Sequence, residues 1–278
     1  MKITIVGTGY VGLVTGTVFA EKGHEVLCID NNESKIEKLN KGQIPFYEPG
    51  LAEMVLRNKE AKRLSFSSQI IDGINYAQVI FVAVGTPPMK TGEADMTYIE
   101  NVAREISKNL SDYKLIVEKS TVPVKTGEQV ERTIRRYANK DACFDVASNP
   151  EFLREGQAIK DALHPDRIVI GVHSQRAEQI LRELYKNFDA PIIVTDVKSA
   201  EIIKHAANSF LAMKISYINA VASICELAGA NVIEVARGIG LDKRIGTAFL
   251  NAGVGFGGSC FPKDVDAFVK ISEMLGYE

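Results

Sequence analysis

One cysteine near the end of the chain stands where a nucleophile could act. The stretch GVGFGGSCFPKD, residues 253–264, surrounds Cys260 with glycines and follows it with Pro262 and the pair Lys263–Asp264. Proline favours the first turn of a helix, so Cys260 is predicted at a helix N-terminus. There the positive end of the helix dipole and Lys263 favour thiolate over thiol. A structural cysteine in a helix-entry turn is the alternative that these residues alone leave open.

A second motif, GTGYVG at residues 7–12, follows the apolar stretch KITIV and opens a helical pattern. Gly7 would allow a tight turn, Gly9 would let the backbone approach a pyrophosphate, and Gly12 would let helix and strand pack closely. The helix N-terminus, with Tyr10 and Val11 in its first turn, would offer N–H groups to phosphate. The motif predicts a dinucleotide site. Glycines that serve only packing, or a flavin dinucleotide, are the alternatives.

The acidic residue that such a site needs follows the second predicted strand, EVLCID. Asp30 is expected to accept hydrogen bonds from the adenosine ribose, and its charge would repel a 2′-phosphate. This favours NAD over NADP, although Lys35 could offset part of that charge. Ligands of doubly wound sheets lie at the carboxyl ends of strands, which adds five residues to the predicted cofactor cleft: Val84, Gly85, Thr86, Ser120 and Thr121.

The two motifs together indicate a class of reaction. NAD accepts hydride, and a cysteine can add to an aldehyde to give a thiohemiacetal that loses hydride a second time. The resulting thioester is then released by water as an acid. NAD with a nucleophilic Cys260 therefore predicts oxidation to a carboxylic acid.

The elements that would position these residues alternate between strand and helix in the first part of the chain. Predicted strands are KITIVG, EVLCID, RLSFS, QVIFVAV, KLIVEK, FDVAS and RIVIGV. Helical patterns, such as TYIENVAREISKNL and KTGEQVERTIRRYA, lie between several of them. This alternation predicts an α/β fold with a Rossmann-like, doubly wound parallel sheet. We assign residues 1–195 to an NAD-binding domain.

The pattern changes near Asp196. A stretch of about thirty residues without proline, far above the usual helix length of about 11–12, predicts one long central helix. A shorter helix at NVIEVARGIG, the cysteine loop and a final helix that begins near Pro262 and continues to the last residue complete a small helical domain, residues 196–278.

Composition narrows the class of protein. The formal net charge is −2, which gives no basic surface for nucleic acid or an anionic membrane. No segment is expected to span a bilayer and the N-terminus resembles no signal peptide, so the cytoplasm is the predicted location. The cysteines and histidines show no ligand spacing, which predicts no metal and no disulfide. Cys28, Cys143 and Cys225 are predicted to be small buried apolar residues.

Five stretches, in order along the whole chain, resemble the UDP-glucose 6-dehydrogenases, which form one nucleotide-sugar dehydrogenase family with the GDP-mannose dehydrogenases. They are KITIVGTGYVGL, EKSTVPV, SNPEFLREG, KHAANSFLAMKIS, and GVGFGGSCFPKD with FLNA ahead of it. The resemblance implies two-step oxidation of the C6 alcohol of UDP-glucose with two NAD, and a homodimer built on the long helix. GDP-mannose is the alternative substrate: its branch is expected to carry leucine after the cysteine, but shares the proline of FPKD.

The resemblance also implies roles for individual residues. Cys260 is the nucleophile, and Lys204 and Asn208, four residues apart on one helix face, hold the charge that develops on the substrate oxygen. Asp264 and Thr121 hold a water, Glu151 is the base for thioester hydrolysis, and Glu155 lies nearer the nicotinamide. The implied substrate contacts are Glu151, Phe152, Leu153, Lys204, Asn208, Phe249 and Gly257, and Lys263 is assigned to the cofactor.

One departure from the family pattern affects these expectations. Family members continue into a second dinucleotide-like domain that binds the uridine diphosphate, which implies that this chain is a truncated form. A non-catalytic module for NAD binding and dimerisation is therefore an alternative. A hydroxyacid dehydrogenase, which would use Lys204 and Asn208 without a covalent step at Cys260, is another.

Overall fold

The computed structural model describes residues 1–89, 91 and 93–277. Its eight strands form one sheet in the order β3-β2-β1-β4-β5-β6-β7-β8. The strands are β1 (Lys2–Val6), β2 (Glu25–Ile29), β3 (Leu64–Ser67), β4 (Val79–Val82), β5 (Lys114–Glu118), β6 (Phe144–Ser148), β7 (Ile168–Gly171) and β8 (Ile192–Thr195).

The first six strands are parallel, and their order reverses between β1 and β4. In sheets of this kind, ligands bind where the order reverses, at the carboxyl ends of the strands. The predicted doubly wound, Rossmann-like sheet is thus confirmed for β1–β6. It is wrong for β7, which pairs antiparallel with β6 at Ser148 and Gly171 and parallel with β8. Strand β8 was not predicted.

Helices alternate with the strands and cover the sheet. They are α1 (Tyr10–Glu21), α2 (Glu33–Asn40), α3 (Leu51–Glu60), α4 (Ile70–Tyr76), α5 (Thr97–Lys108), α6 (Thr126–Tyr137), α7 (Ala158–Leu163), α8 (Gln175–Tyr185), α9 (Val197–Ala228), α10 (Val232–Gly240) and α11 (Phe261–Met274). Side-chain caps start some of them: Asn32 Oδ1 accepts the Lys35 amide at α2, and the Ser174 hydroxyl accepts the Ala177 amide at α8.

The core lies on both faces of the sheet. Alternate residues of the central strands belong to two separate clusters, so that Ile5 and Phe81 pack on one face while Val6 and Ile80 pack on the other. Burial of both faces explains why these strands read as continuous apolar runs. Helix α1 is buried over most of its length, which holds the 7–12 turn rigidly against the sheet.

The long helix is confirmed as α9, with 32 residues. The chain divides into two compact units, Met1–Thr86 with Asp95–Ile202 and Pro87–Ala94 with Ile203–Glu278. The predicted division at residues 195 and 196 remains a prediction. Helix α9 is long and apolar enough to cross a membrane, so the expectation that no segment could do so is wrong by length and composition. A single such helix is weak evidence for a membrane span.

The last helix was predicted to continue to the last residue, but it ends at Met274. Gly276 has φ +80°, its amide bonds to the Glu273 carbonyl, and the Tyr277 amide bonds to the Ser272 carbonyl. These two bonds form a Schellman motif, which uses glycine in the left-handed region to stop a helix.

All four cysteines are free. Cys28 and Cys225 are buried, as predicted, and burial raises the pKa of the Cys28 thiol. Cys143 is exposed, which corrects the expectation that it is buried. It lies in the loop that precedes β6, one residue before the strand begins at Phe144.

Candidate functional site

The glycine turn after β1 has the geometry that its sequence predicts. Gly7 has φ +104°, and a Cβ placed on it would lie 2.5 Å from the Ala83 carbonyl oxygen. A Cβ on Gly12 would lie 1.9 Å from the Gly7 carbonyl oxygen. Both positions therefore require glycine for packing. Gly9 differs, since a Cβ there would meet nothing within 4 Å, which leaves open space over the backbone for a ligand.

The first turn of α1 faces this open space without a competing acid. Gly9 is its N-cap, and the first turn carries no acidic residue. The Tyr10 hydroxyl donates to Glu48 Oε2 at 2.5 Å, and burial followed by this bond raises the pKa of Tyr10. Buried Glu48 also accepts the amides of Gly156 and Ala158, at 2.9 and 2.8 Å. Tyr10 is therefore held in place, while the helix end remains available to an anion.

Asp30 organises the same turn. Its Oδ2 accepts the amide and hydroxyl of Thr8, at 3.0 and 2.7 Å, and the ammonium of Lys35 at 2.7 Å. Burial opposes the charge, but these bonds and the Asn32 amide hold the pKa of Asp30 below its usual range. Oδ1 accepts the Asn32 amide alone among the residues described, so a lone pair remains for a ribose hydroxyl. Lys35 offsets part of the charge, as expected.

Replacing Asp30 with alanine should weaken NAD binding and narrow the preference for NAD over NADP. Hydrogen bonds to charged groups contribute about 1.5–3 kcal/mol, so the Kd for NAD should rise on the order of tenfold to a hundredfold. Lys35, freed of its partner, would attract a 2′-phosphate. Calorimetry with both cofactors measures the effect, and Glu33→Ala, which removes a nearby exposed acid at the start of α2, is the matched control. Equal affinity of the unmodified chain for both cofactors would remove Asp30 from this role.

The ends of β4 and β5 bring the other predicted cofactor residues together. The Thr86 hydroxyl donates to the Thr121 carbonyl at 2.9 Å, and the Ser120 hydroxyl donates to the Val84 carbonyl at 2.6 Å. Gly85 between them is exposed, and a Cβ on it would meet nothing within 4 Å. These five residues lie at the carboxyl edge of the sheet, next to the strand that carries the glycine turn.

The segment that carries Glu151 and Glu155 is not helical, so these residues do not share a helix face. Glu151 is buried and its Oε2 accepts the Leu153 amide at 2.6 Å, while Glu155 is exposed. A side chain that bonds to the backbone two residues on favours a turn over a helix. Glu151 therefore lies in a turn rather than on a helix.

A cavity of about 320 Å³ lies beside this turn, and Glu151, Phe152 and Leu153 are among the residues that line it. Its inner wall includes a buried polar network in which the Lys119 ammonium and the Tyr185 hydroxyl both donate to Asn149 Oδ1. The guanidinium of Arg167 lies 3.8 Å from the centre of the Phe152 ring. These contacts hold the 151–155 turn in place within the unit that also carries the glycine turn.

In the second unit, Lys204 and Asn208 are both buried on α9, at the i, i+4 spacing that was predicted. The Asn208 amide donates to Asp264 Oδ2 at 2.6 Å. The Lys263 ammonium lies 2.9 Å from Asp264 Oδ1, although not aligned for a hydrogen bond. Asp264 is only 1% exposed. The Asn208 amide and the Lys263 ammonium thus hold the buried Asp264 carboxylate in place.

Cys260 is the N-cap of α11, with Pro262 in the first turn, as the sequence predicted. Its carbonyl accepts the Asp264 amide at 2.8 Å, which ties the cysteine to the first turn of the helix. Cys260 is partly exposed, and its sulfur lies 3.6 Å from the Ser259 hydroxyl oxygen. Gly258, with φ +81°, turns the chain into the cap.

Two further residues named from the sequence lie in this loop. Phe249 has φ +63°, a conformation rare for a bulky residue and found mainly at functional sites. Its ring meets that of Phe261 edge to face, with centroids 6.0 Å apart. A Cβ on Gly257 would meet nothing within 4 Å, so the backbone is accessible there.

Three buried carboxyls were not predicted from the sequence: Glu48, Glu118 and Glu201. Glu48 binds the 156–158 turn and Tyr10, as described above. The other two had only a weak signal in the sequence, an acid at the end of the apolar run KLIVE and another in the first part of the long helix. No group of histidine, cysteine and acidic side chains within the described ranges could hold a metal ion.

Comparison with known proteins decides the family. Residues 1–189 match the NAD-binding domain of the UDP-glucose/GDP-mannose dehydrogenase family, and residues 198–278 match its central domain. The chain belongs to this family. Its cofactor is NAD, bound by the first of these domains.

The relatives within the family are similar over almost the whole chain. The UDP-glucose 6-dehydrogenase TuaD of Bacillus subtilis is 54% identical over 99% of the chain. Two solved structures cover all of it: a UDP-glucose dehydrogenase of Pyrobaculum islandicum, with 44% identity and a TM-score of 0.97, and a GDP-mannose dehydrogenase of Pseudomonas aeruginosa, with 36% identity and a TM-score of 0.85. The chain spans 60% of TuaD and 65% and 66% of the two solved chains.

Proposed function

We propose that these residues are the cofactor-binding and chemical part of an NAD-dependent dehydrogenase that oxidises the C6 alcohol of UDP-glucose to the carboxylate of UDP-glucuronate. The observation that carries this proposal is the arrangement in the second unit. A partly exposed cysteine caps a helix whose first turn presents a buried Asp264, and Asp264 is bonded to Asn208. The match to the family supports the same chemistry.

Each residue has a proposed part in two successive oxidations, at each of which bound NAD accepts hydride. Lys204 and Asn208 stabilise negative charge on the C6 oxygen as the alcohol passes its proton to bound water, and loss of the C6 hydride then leaves an aldehyde. The thiolate of Cys260 then adds to the carbonyl carbon of the aldehyde, and the thiohemiacetal that forms becomes a thioester when its hydride leaves. Addition of water to the thioester breaks the carbon–sulfur bond and returns the thiol.

Three residues are assigned to the hydrolysis and two to the cofactor. Asp264 and Thr121 bind water, and Glu151 takes the proton of the attacking water. Glu155 is exposed, so its proposed place near the nicotinamide rests on the family resemblance. Lys263, proposed beside the cofactor, also holds the Asp264 carboxylate in place.

UDP-glucose is the proposed substrate rather than GDP-mannose. The curated relative at 54% identity is named a UDP-glucose 6-dehydrogenase, whereas the GDP-mannose dehydrogenase structure is 36% identical. Phe261 follows the cysteine here, where leucine is expected in the GDP-mannose branch.

We further propose a cytoplasmic homodimer that is assembled through α9. This helix exposes apolar side chains at a helical spacing on one stripe: Phe210, Met213, Tyr217, Ile224 and Leu227. Exposed apolar patches of this kind mark protein interfaces, and a second copy would remove the stripe from water. The same stripe explains why α9 resembles a membrane span in composition.

The 278-residue chain should bind NAD but show no measurable NADH production with UDP-glucose. The glycine turn and Asp30 lie within one unit, so NAD is expected to bind to these 278 residues by themselves. Substrate contacts that lie in the unmatched part of the relatives would be missing, and loss of remote binding energy lowers turnover as well as affinity.

A chimera tests the proposal, with this chain in place of the matching segment of the Bacillus subtilis relative. We expect NADH from UDP-glucose with the chimera and little from GDP-mannose. Robust turnover by the 278 residues alone would show that they hold a complete substrate site. A chimera that binds NAD and stays inactive with UDP-glucose would contradict the proposed activity.

A further inference from the structure

Two buried glutamates converge on the start of α6. Glu118 ends β5 and is 1% exposed, and Glu201 lies near the start of α9 and is 2% exposed. A Cβ placed on Gly127 would lie 3.5 Å from Glu201 Oε1 and 3.6 Å from Glu118 Oε2. The absence of a side chain on Gly127 therefore lets both carboxyls approach the same point of the backbone.

The two carboxyls differ in their partners. Glu201 accepts the Lys125 amide at 2.6 Å and the Gly127 amide at 2.8 Å. Neither oxygen of Glu118 has a hydrogen-bond partner among the residues described. A buried carboxylate without a partner costs far more free energy than a neutral carboxyl in the same place. Glu118 is therefore the member of the pair that keeps its proton.

Glu201 also holds a strained piece of backbone. Lys125, the N-cap of α6, has φ +75°, a conformation that is unfavourable for any residue other than glycine. Strained residues of this kind persist when their surroundings fix them and are concentrated at functional sites. Glu201 binds the amide of Lys125 itself and the amide of Gly127, two residues further along the chain. The carboxyl thus fixes the end of the loop that begins with Ser120 and Thr121.

The charges around the pair agree with this division of roles. Burial, and then the charge of Glu201, raise the pKa of Glu118 well above its usual value. Burial also raises the pKa of Glu201 to about 7, against the effect of the two amides. Glu128 of α6 and Lys198 of α9, which form an ion pair, face Glu201 with opposite effects on its pKa.

We propose that Glu118 and Glu201 are a coupled pair in which Glu118 keeps its proton and Glu201 positions the 120–125 loop for cofactor binding, and that the loop is held most firmly when Glu201 is ionised. This rests on the proposed place of Ser120 and Thr121 in the cofactor cleft. An ionised carboxylate accepts both amides in charge-assisted bonds, whereas a protonated carboxyl accepts more weakly. Both glutamates are positioning residues, since they act through the loop.

A titration tests the pair by itself. In the chain labelled with ¹³C at glutamate carboxyls, we expect one resonance to titrate near pH 7 and another to remain in the protonated position through neutral pH. Glu201→Gln should remove the first resonance and Glu118→Gln the second. The unmodified chain alone decides the main point, even where a variant fails to fold: a set of carboxyls that all titrate below about pH 5, the ordinary range for glutamate, would overturn the pair.

Cofactor affinity tests the positioning role. Between pH 6 and pH 8 the ionised fraction of a group with pKa near 7 rises from about one tenth to about nine tenths, so NAD affinity should rise several-fold, up to about tenfold. The rise should be absent in Glu201→Gln and retained in Glu131→Gln, a matched change at a solvent-facing position of α6 that pairs with Arg135.

The outcomes separate the two claims. An equal rise of NAD affinity in the unmodified chain and in Glu201→Gln, or no rise in either, would reject the positioning role. The claim that the two carboxyls are coupled would then be decided by the titration alone. Absence of NAD binding at every pH would reject the proposed cofactor site and the positioning role with it.

Discussion

Replacement of Cys260 with alanine is expected to abolish formation of UDP-glucuronate by the chimera. No thioester can form without the sulfur, so the second oxidation has no covalent intermediate to act on. Loss of a covalent nucleophile lowers turnover by at least about a thousandfold. The product is measured by chromatography, and NADH by its absorbance. Cys260→Ser should instead trap a slowly hydrolysed ester, since an alkoxide is a poorer leaving group than a thiolate.

A matched cysteine gives the control. Cys143 is also free and more exposed than Cys260, but it lies in the loop ahead of β6 and carries no proposed role. Cys143→Ala should leave both rates unchanged. If Cys260→Ala made the acid at a near-normal rate while binding NAD, the covalent mechanism assigned to Cys260 would be wrong.

Replacement of Asp264 should have the second largest effect. Asp264→Ala removes the acceptor of the Asn208 amide in a buried place, and a donor left unsatisfied costs about 1–3 kcal/mol. Asp264→Asn can keep that bond through its own carbonyl oxygen but loses the charge next to Lys263. We expect both variants to lower turnover of the chimera, on the order of a hundredfold or more, and only the alanine variant to lose substantial stability.

Thermal unfolding and NADH production measure the two effects separately. Asp266→Asn, two residues further along α11 and exposed, makes the same chemical change away from Asn208 and should alter neither. Turnover of Asp264→Asn equal to that of Asp266→Asn would show that the Asp264 charge has no part in the chemistry.

Much of the fold could be predicted because its signals are local. Strands β1, β2, β4 and β5 are largely apolar runs, β3 alternates apolar and polar residues in LSFS, and the 7–12 turn lies between a strand and a helix. Strand direction is not local, because a strand buried on both faces reads the same either way, and β7 was therefore assigned to a parallel sheet. The edge strand β8 was also missed, although its sequence IIVT is rich in β-branched apolar residues; it is only four residues long and only partly buried.

The same distinction between local and non-local signals applies to the candidate site. The N-cap position of Cys260 and the glycine turn could be predicted, because each depends on spacing within one element, whereas Lys204 and Asn208 were assigned only through the family resemblance. The turn at Glu151 could not, since it depends on a bond from the side chain to the Leu153 amide. The roles of Glu118 and Glu201 were also hidden, because burial of both carboxyls follows from the packing of β5, α6 and α9, which lie far apart in the sequence.

The stoichiometry of NADH in the chimera tests the central claim most directly. A covalent two-step oxidation at Cys260 predicts about two NADH for each UDP-glucose consumed, with UDP-glucuronate as the product and no aldehyde released. A ratio near one, with the aldehyde accumulating in solution, would contradict the claim, since it would show a simple alcohol dehydrogenase that needs Lys204 and Asn208 but makes no thioester.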